Sequence, residues 1–206
     1  MSSPPAVAAL QVADWRQRIG TLYADVRRIT ATDSAAAAHD HWRRVRNRLF
    51  ADHPASPVLD RDAFGGLPTA AYDPDWRFEL AVQPAEPLSI LVGTGTDGAV
   101  AFRRVGLVVV SGVGSLDVWW HEGYGGGIFV PVRDATSGHT TYGGGRYLID
   151  TAKGADLGLD PAGTLVVDLN FAYHPSCTYD PAWACPLPQP GNTVAVPIPV
   201  GELLRG

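Results

Sequence analysis

Apolar positions recur at helical spacing through the first fifty residues and at strand spacing through most of the remainder. Val12, Trp15, Ile19, Leu22, Val26 and Ile29 advance in alternate steps of three and four, which lines them along one stripe of an amphipathic helix. A first helix is therefore predicted over residues 8–30. Ala38, Trp42, Val45 and Leu49 repeat the pattern behind Asp33 and Ser34, both good N-cap residues, and predict a second helix over 35–51. Arg43, Arg44, Arg46 and Arg48 fall mostly off that stripe and read as a solvated face, with phosphate contact as the alternative. Residues 53–75, HPASPVLDRDAFGGLPTAAYDPD, lose periodicity and collect turn formers, so they read as a long connecting loop of a kind that usually has a job.

Beyond the loop come RFELAVQ, LSILVG, AVAFRRVGLVVVS, SLDVWW, GIFVPVRD, RYLID, TLVVDLN and TVAVPIPV, short runs rich in β-branched and aromatic residues and separated by Gly, Asp or Pro. With no helix-length segment between them, they predict antiparallel sheet closing into a barrel or sandwich. The expected class is α+β, mainly β: a helical segment, residues 1–52, packed on a β-rich body, residues 53–206, as one folding unit. YGGG occurs at 124–127 and again at 142–145, each time before a strand-like run, which suits adjacent hairpin strands. Gly93, Gly95 and Gly98 spell the dinucleotide-binding pattern G-x-G-x-x-G, but that motif needs a helix next to hold the pyrophosphate. A strand-like run follows instead, so GTGTDG is expected to be a hairpin turn.

Composition narrows the partners. A chain of 206 residues with 46% hydrophobic content can bury one substantial core. Sixteen Lys+Arg against twenty-one Asp+Glu leave a net charge of −5, which does not supply the field that non-specific nucleic-acid binding needs. The first residues lack a basic n-region, and no apolar run reaches the length of a membrane span, so a soluble cytoplasmic protein without a membrane or nucleic-acid partner is expected. One lysine, Lys153, stands beside fifteen arginines, a bias of GC-rich genomes. Oligomeric state is not indicated.

The chemistry-bearing residues crowd into two segments. No G-x-S-x-G elbow, H-E-x-x-H pair, P-loop or paired C-x-x-C pattern is present, so no cofactor is named, and His121 with Glu122 reads as a surface or turn pair. In RDATSGHTTYGGGRYL, residues 133–148, Arg133 and Asp134 are expected to end one strand and Arg146 and Tyr147 to begin its partner. The two arginines at one hairpin end suit a clamp for a carboxylate or phosphate, or else internal pairing with Asp134 and Asp168. In NFAYHPSCTYDPAWACPLPQPGN, residues 170–192, five prolines bar helix and central strand, while four aromatics favour an ordered cover. Cys177 and Cys185 there have three readings. A disulfide would close a nine-residue loop and stabilise by about 2 to 3 kcal/mol. A metal pair would need further ligands such as His174, His53 or His121. Packed reduced thiols need nothing.

These two segments, RDATSGHTTYGGGRYL and DLNFAYHPSCTYDPAWACPLPQPGN, resemble the hallmark block of the bacterial and archaeal family known as domain of unknown function 1684. The upstream WRRVRNRLFADHPASPVLDRDAFGGLPTAAYDPDWRFEL resembles its shorter members, so the likeness covers residues 42–192 and leaves the first helix outside. Arg133, Asp134, Tyr142, Arg146, Asp168, Asn170, Tyr173, Cys177, Cys185 and Asn192 all match the pattern. His174 stands where the family usually has asparagine, and Gln189 replaces a proline. The resemblance implies no activity.

The leading expectation is a β-barrel that binds a small anionic molecule, with catalysis left open. Arg133, Asp134, Tyr142, Arg146, Asn170, Cys177 and Cys185 would line its pocket, and His53 or Tyr173 would exchange protons. No residue is assigned to a metal. A structural or protein-interaction module is the second expectation, and a metal protein built on the cysteines and a histidine is the third.

Overall fold

The computed structural model describes residues 5–94, 98–160 and 162–205. Two helices come first, α1 (Pro5–Thr32) and α2 (Ala35–Asp52). α1 outruns both predicted ends, at its start because Ala6, Ala8 and Ala9 are strong helix formers that carry no stripe of their own, while α2 begins where predicted and runs one residue further. The Ser34 hydroxyl caps α2 by accepting the Ala37 amide at 3.1 Å, while the Asp33 amide closes α1 on the Ile29 carbonyl. The two apolar stripes meet in one cluster, where Ile19, Leu22, Tyr23 and Val26 pack on Ala38, Trp42 and Leu49, with Leu157 and Phe171 completing it from the body. Gly154, at φ 86, sits where α1 crosses that body, and a Cβ there would come within 3.0 Å of Gly20.

The strands are β1 (Arg77–Ala81), β2 (Ser89–Thr94), β3 (Gly98–Val110), β4 (Gly114–His121), β5 (Gly127–Val132), β6 (Arg146–Asp150), β7 (Leu159–Asp160) and β8 (Thr164–Asp168). They form two antiparallel sheets, one ordered β2-β3-β4-β5-β6 and the other β1-β8-β7. Both sheets are open. The expected barrel is therefore corrected: β2 and β6 remain the edges of the large sheet, and the second sheet meets it face to face across an apolar core instead of continuing its ladder. Val108, Leu116, Val118, Val130 and Ile149 from the large sheet share that core with Val167 of β8.

β2 and β3 pair antiparallel with Thr94 opposite Gly98, the register of a hairpin and not of a strand entering a helix; residues 95–97 of the predicted turn lie outside the described residues. The two YGGG copies lead into β5 and β6, which pair with each other. TVAVPIPV is not a strand. It is extended, with Asn192, Val194, Ile198 and Val200 buried in alternation, but Pro197 and Pro199 lack ladder donors and its one bridge is Thr193 to Arg133. Among the described residues no helix is long and apolar enough to cross a membrane.

Candidate functional site

The hairpin arginines part company. Arg133 follows β5 and is exposed, whereas Arg146 opens β6 and is 1% exposed. Arg146 does not face a ligand space. Its Nη2 donates to Asp134 Oδ2 at 3.1 Å and to the Ile198 carbonyl at 2.9 Å, and its Nη1 donates to the carbonyls of Val200 at 2.5 Å and Glu202 at 3.3 Å. Alternate carbonyls of the extended C-terminal segment thus dock on one guanidinium, which stands in for a neighbouring strand. Asp134 Oδ2 also accepts the Ile198 amide at 2.6 Å. Burial pulls the Arg146 pKa down, and Asp134 and Glu202 oppose that pull. Gly145, at φ 84, permits the approach: a Cβ there would lie 2.6 Å from the Val132 carbonyl.

A second buried arginine sits one layer away. Arg46 of α2 is 4% exposed, its guanidinium about 5 Å from the rings of Trp42, Phe50 and Tyr173, and its Nη2 donates to Glu202 Oε2 at 2.8 Å. Glu202, fully buried, further accepts the Tyr179 hydroxyl and, at 3.3 Å, the His174 amide. Burial and the Glu202 charge hold Tyr179 well above its ordinary value, so it donates as a neutral phenol. His174 looks like half of a catalytic His and Glu pair, with Nδ1 at 3.7 Å from Glu202 Oε1. Its other nitrogen is spent: Nε2 accepts the Tyr142 amide at 3.2 Å, which assigns the proton to Nδ1, and burial lowers the imidazole to about 4.

The remaining predicted residues are scattered around this core. His53 terminates α2, accepts the Ala55 amide on Nδ1 at 3.1 Å and donates from Nε2 to Asp14 of α1 at 2.9 Å. Tyr173 pairs backbone to backbone with Tyr147 and is held well above its ordinary value by burial and Asp150. His53 and Tyr173 share no hydrogen bond or ring contact among the described residues. The Asn170 side chain exchanges two hydrogen bonds with the Asp73 backbone, at 2.9 and 2.8 Å, as a strand neighbour would, and the Asn170 backbone carbonyl accepts His39 Nε2 at 2.9 Å. Asp168 binds Asn170 and Tyr72, not an arginine. Asn192 repeats the device, accepting the Trp119 indole at 2.7 Å and donating to the Asp117 and Pro131 carbonyls at 2.9 and 3.0 Å.

Cys177 and Cys185 are both free thiols, and the structure brings them together. Cys185 Sγ accepts the Cys177 amide at 3.4 Å and lies beside the Cys177 thiol. That amide belongs to the 3-10 turn Ser176–Thr178. That environment lowers Cys185 to about 6, first through the Cys177 hydrogen bond, and raises Cys177 for the same reason. Tyr142 Oη lies 4.0 Å from Cys177 Sγ. The Tyr147 hydroxyl donates at 2.6 Å to the carbonyl of Pro186, anchoring the chain just past Cys185.

This geometry overturns the expected ligand-binding barrel. Cavities of about 70, 280 and 380 Å³ open on the described surface, yet of the residues predicted to form the pocket only Tyr173 lines one of them. The metal reading fails as well, because no three of the described His, Cys, Asp and Glu residues converge. Sequence reasoning missed the Arg46, Tyr179 and Glu202 network. For Arg46 a signal existed, since it lies four residues after Trp42 and three before Leu49, within the apolar stripe. Glu202 has no local signal: its partners lie 23 to 156 residues away.

Residues 62–203 match the model of a family described as "Protein of unknown function (DUF1684)". The match begins after α2 and runs through Glu202, so it excludes the upstream helix motif and includes the C-terminal segment. The chain is also similar to an uncharacterized protein of Haloarcula marismortui solved by solution NMR, at 30% identity and a TM-score of 0.60, over 85% of this chain and 97% of that one. That relative is archaeal, which gives a bacterial source little support. No curated protein matches.

Proposed function

Because the chain belongs to the DUF1684 family, which is defined without an activity, we propose its function from its chemistry: a thiol redox protein whose working group is the Cys177 and Cys185 pair. The observation that carries this reading is the Cys185 sulfur held by the Cys177 backbone amide and set beside the Cys177 thiol. A sulfur so placed is favoured as thiolate, the form that attacks and leaves in disulfide exchange. The pair would give up two electrons and two protons to an external disulfide, RSSR, which becomes two RSH. Asp134, Arg146 and Asn170 serve the site by fixing the C-terminal segment and the proline-rich cover that carries it. In this reading Tyr142 stays a neutral phenol beside Cys177, its pKa raised by burial and by the cysteines.

Equilibration of the reduced protein in glutathione redox buffers, with alkylation and mass analysis, tests the reading. Both thiols are expected to disappear together, with loss of one hydrogen pair, and to return on adding dithiothreitol. Thiols that stay alkylatable in fully oxidised glutathione sink it.

A further inference from the structure

Resting on that redox reading, we infer that Cys177 is the thiol that meets the external substrate and Cys185 the one that resolves the intermediate, and that the substrate is a low-molecular-weight disulfide and not a hydroperoxide. The division of labour follows from exposure. Cys185 is 6% exposed, whereas Cys177 is only partly covered. Exchange requires the incoming sulfur to reach the reacting sulfur, and Cys177 is the less covered of the two. The sulfur favoured as thiolate is therefore the covered one. A hydroperoxide needs direct access to a thiolate, and this one belongs to buried Cys185, against the Cys177 amide.

A disulfide fits because the two sulfurs divide the work. Cys177 attacks RSSR while its proton passes along the existing contact to the Cys185 sulfur, giving Cys177–S–SR and RS⁻. RS⁻ takes up that proton as Cys185 attacks the Cys177 sulfur, closing Cys177–S–S–Cys185 and expelling a second RS⁻, which is protonated from solvent. Two protein thiols and one RSSR thus become one protein disulfide and two RSH. In the reductive direction, attack on Cys177 expels Cys185 as a thiolate already held by the Cys177 amide, a good leaving group. The Tyr142 hydroxyl, 4.0 Å from Cys177 Sγ, positions the entry thiol and donates to its sulfur when that carries charge.

The test uses oxidised glutathione on the full chain. Cys185→Ser is expected to accumulate a glutathionyl adduct on Cys177 at least tenfold faster than Cys177→Ser accumulates one on Cys185. The reverse order overturns the assignment even where the wild-type protein closes its disulfide normally. Failure of the wild type to close at all removes the redox reading itself, so the two failures are separable. Hydrogen peroxide at equal concentration is expected to oxidise the wild type more slowly than oxidised glutathione, and faster oxidation refutes the substrate class. Should Cys185→Ser not fold, competitive alkylation of the reduced wild type replaces it: Cys177 modified first supports the assignment, and Cys185 modified first overturns it.

Discussion

Arg146 takes the place of a missing strand, and lysine would not do so. A planar fork of five donors reaches Asp134 and three carbonyls at once, whereas an ammonium is a single point. Arg146→Ala leaves Asp134 charged, buried and without its guanidinium, and is expected to cost about 3 to 5 kcal/mol in urea unfolding. Arg146→Lys is expected to recover less than half of that, and full recovery would show that charge alone holds the segment. Asp134→Ala should be almost as costly, and a double-mutant cycle should find the two strongly coupled. The motif residues were legible in the sequence as a group, and the pairing of Arg146 with Asp134 was one of two readings open there. The choice was not legible, because it depends on Ile198, Val200 and Glu202, whose backbone carbonyls carry no residue-type signal.

Among elements, periodicity exposed both helices and most strands, since each buries one face against something. It failed at TVAVPIPV, which has the inward and outward alternation of a strand but bonds to the chain backbone near Arg133 and Ala135 and beyond that to the side chains of Arg146 and Asp134. Asn170 and Asn192 are the same case: side-chain amides that satisfy backbone groups where no strand lies alongside. Asn192→Ala would leave the Trp119 indole and two buried carbonyls unpaired and is expected to destabilise by about 2 to 4 kcal/mol, at roughly 1 to 3 per orphaned group with partial relief by water. A drop of under 1 kcal/mol in the same urea assay would show that the cover is not held there. The prediction of closure failed because strand-forming runs dictate pairing only locally, and whether β2 reaches β6 depends on how the second sheet packs.

For the whole molecule, two buried neutral histidines set the acid limit. Burial lowers both His39 and His174 from 6.5 to about 4. The unfolded chain therefore binds protons below about pH 6.5 that the fold refuses until about pH 4, so stability is fully present above that window and falls through it. Burial raises Asp150 and Asp168, so between 3.8 and their folded values acidification favours the fold and offsets part of the loss. Urea midpoints at pH 7.5, 6 and 5 are expected to decline in that order. His174→Asn, which removes one of the two imidazoles, should flatten the decline, and an unchanged slope would mean that His174 contributes none of it.

The long reach of Glu202 bears on how the chain is made. Arg46 waits for a carboxylate 156 residues further along, and the carbonyls that quench Arg146 arrive 52 to 56 residues after it. During vectorial synthesis the helical pair and the large sheet can collapse early, but the first then holds the unneutralised guanidinium of Arg46, and the second an Arg146 whose pairing with Asp134 leaves its other donors without their carbonyls. Native order on the ribosome must come late, in one cooperative step when residues 198–202 emerge, and nascent chains stalled before that point should remain open to protease.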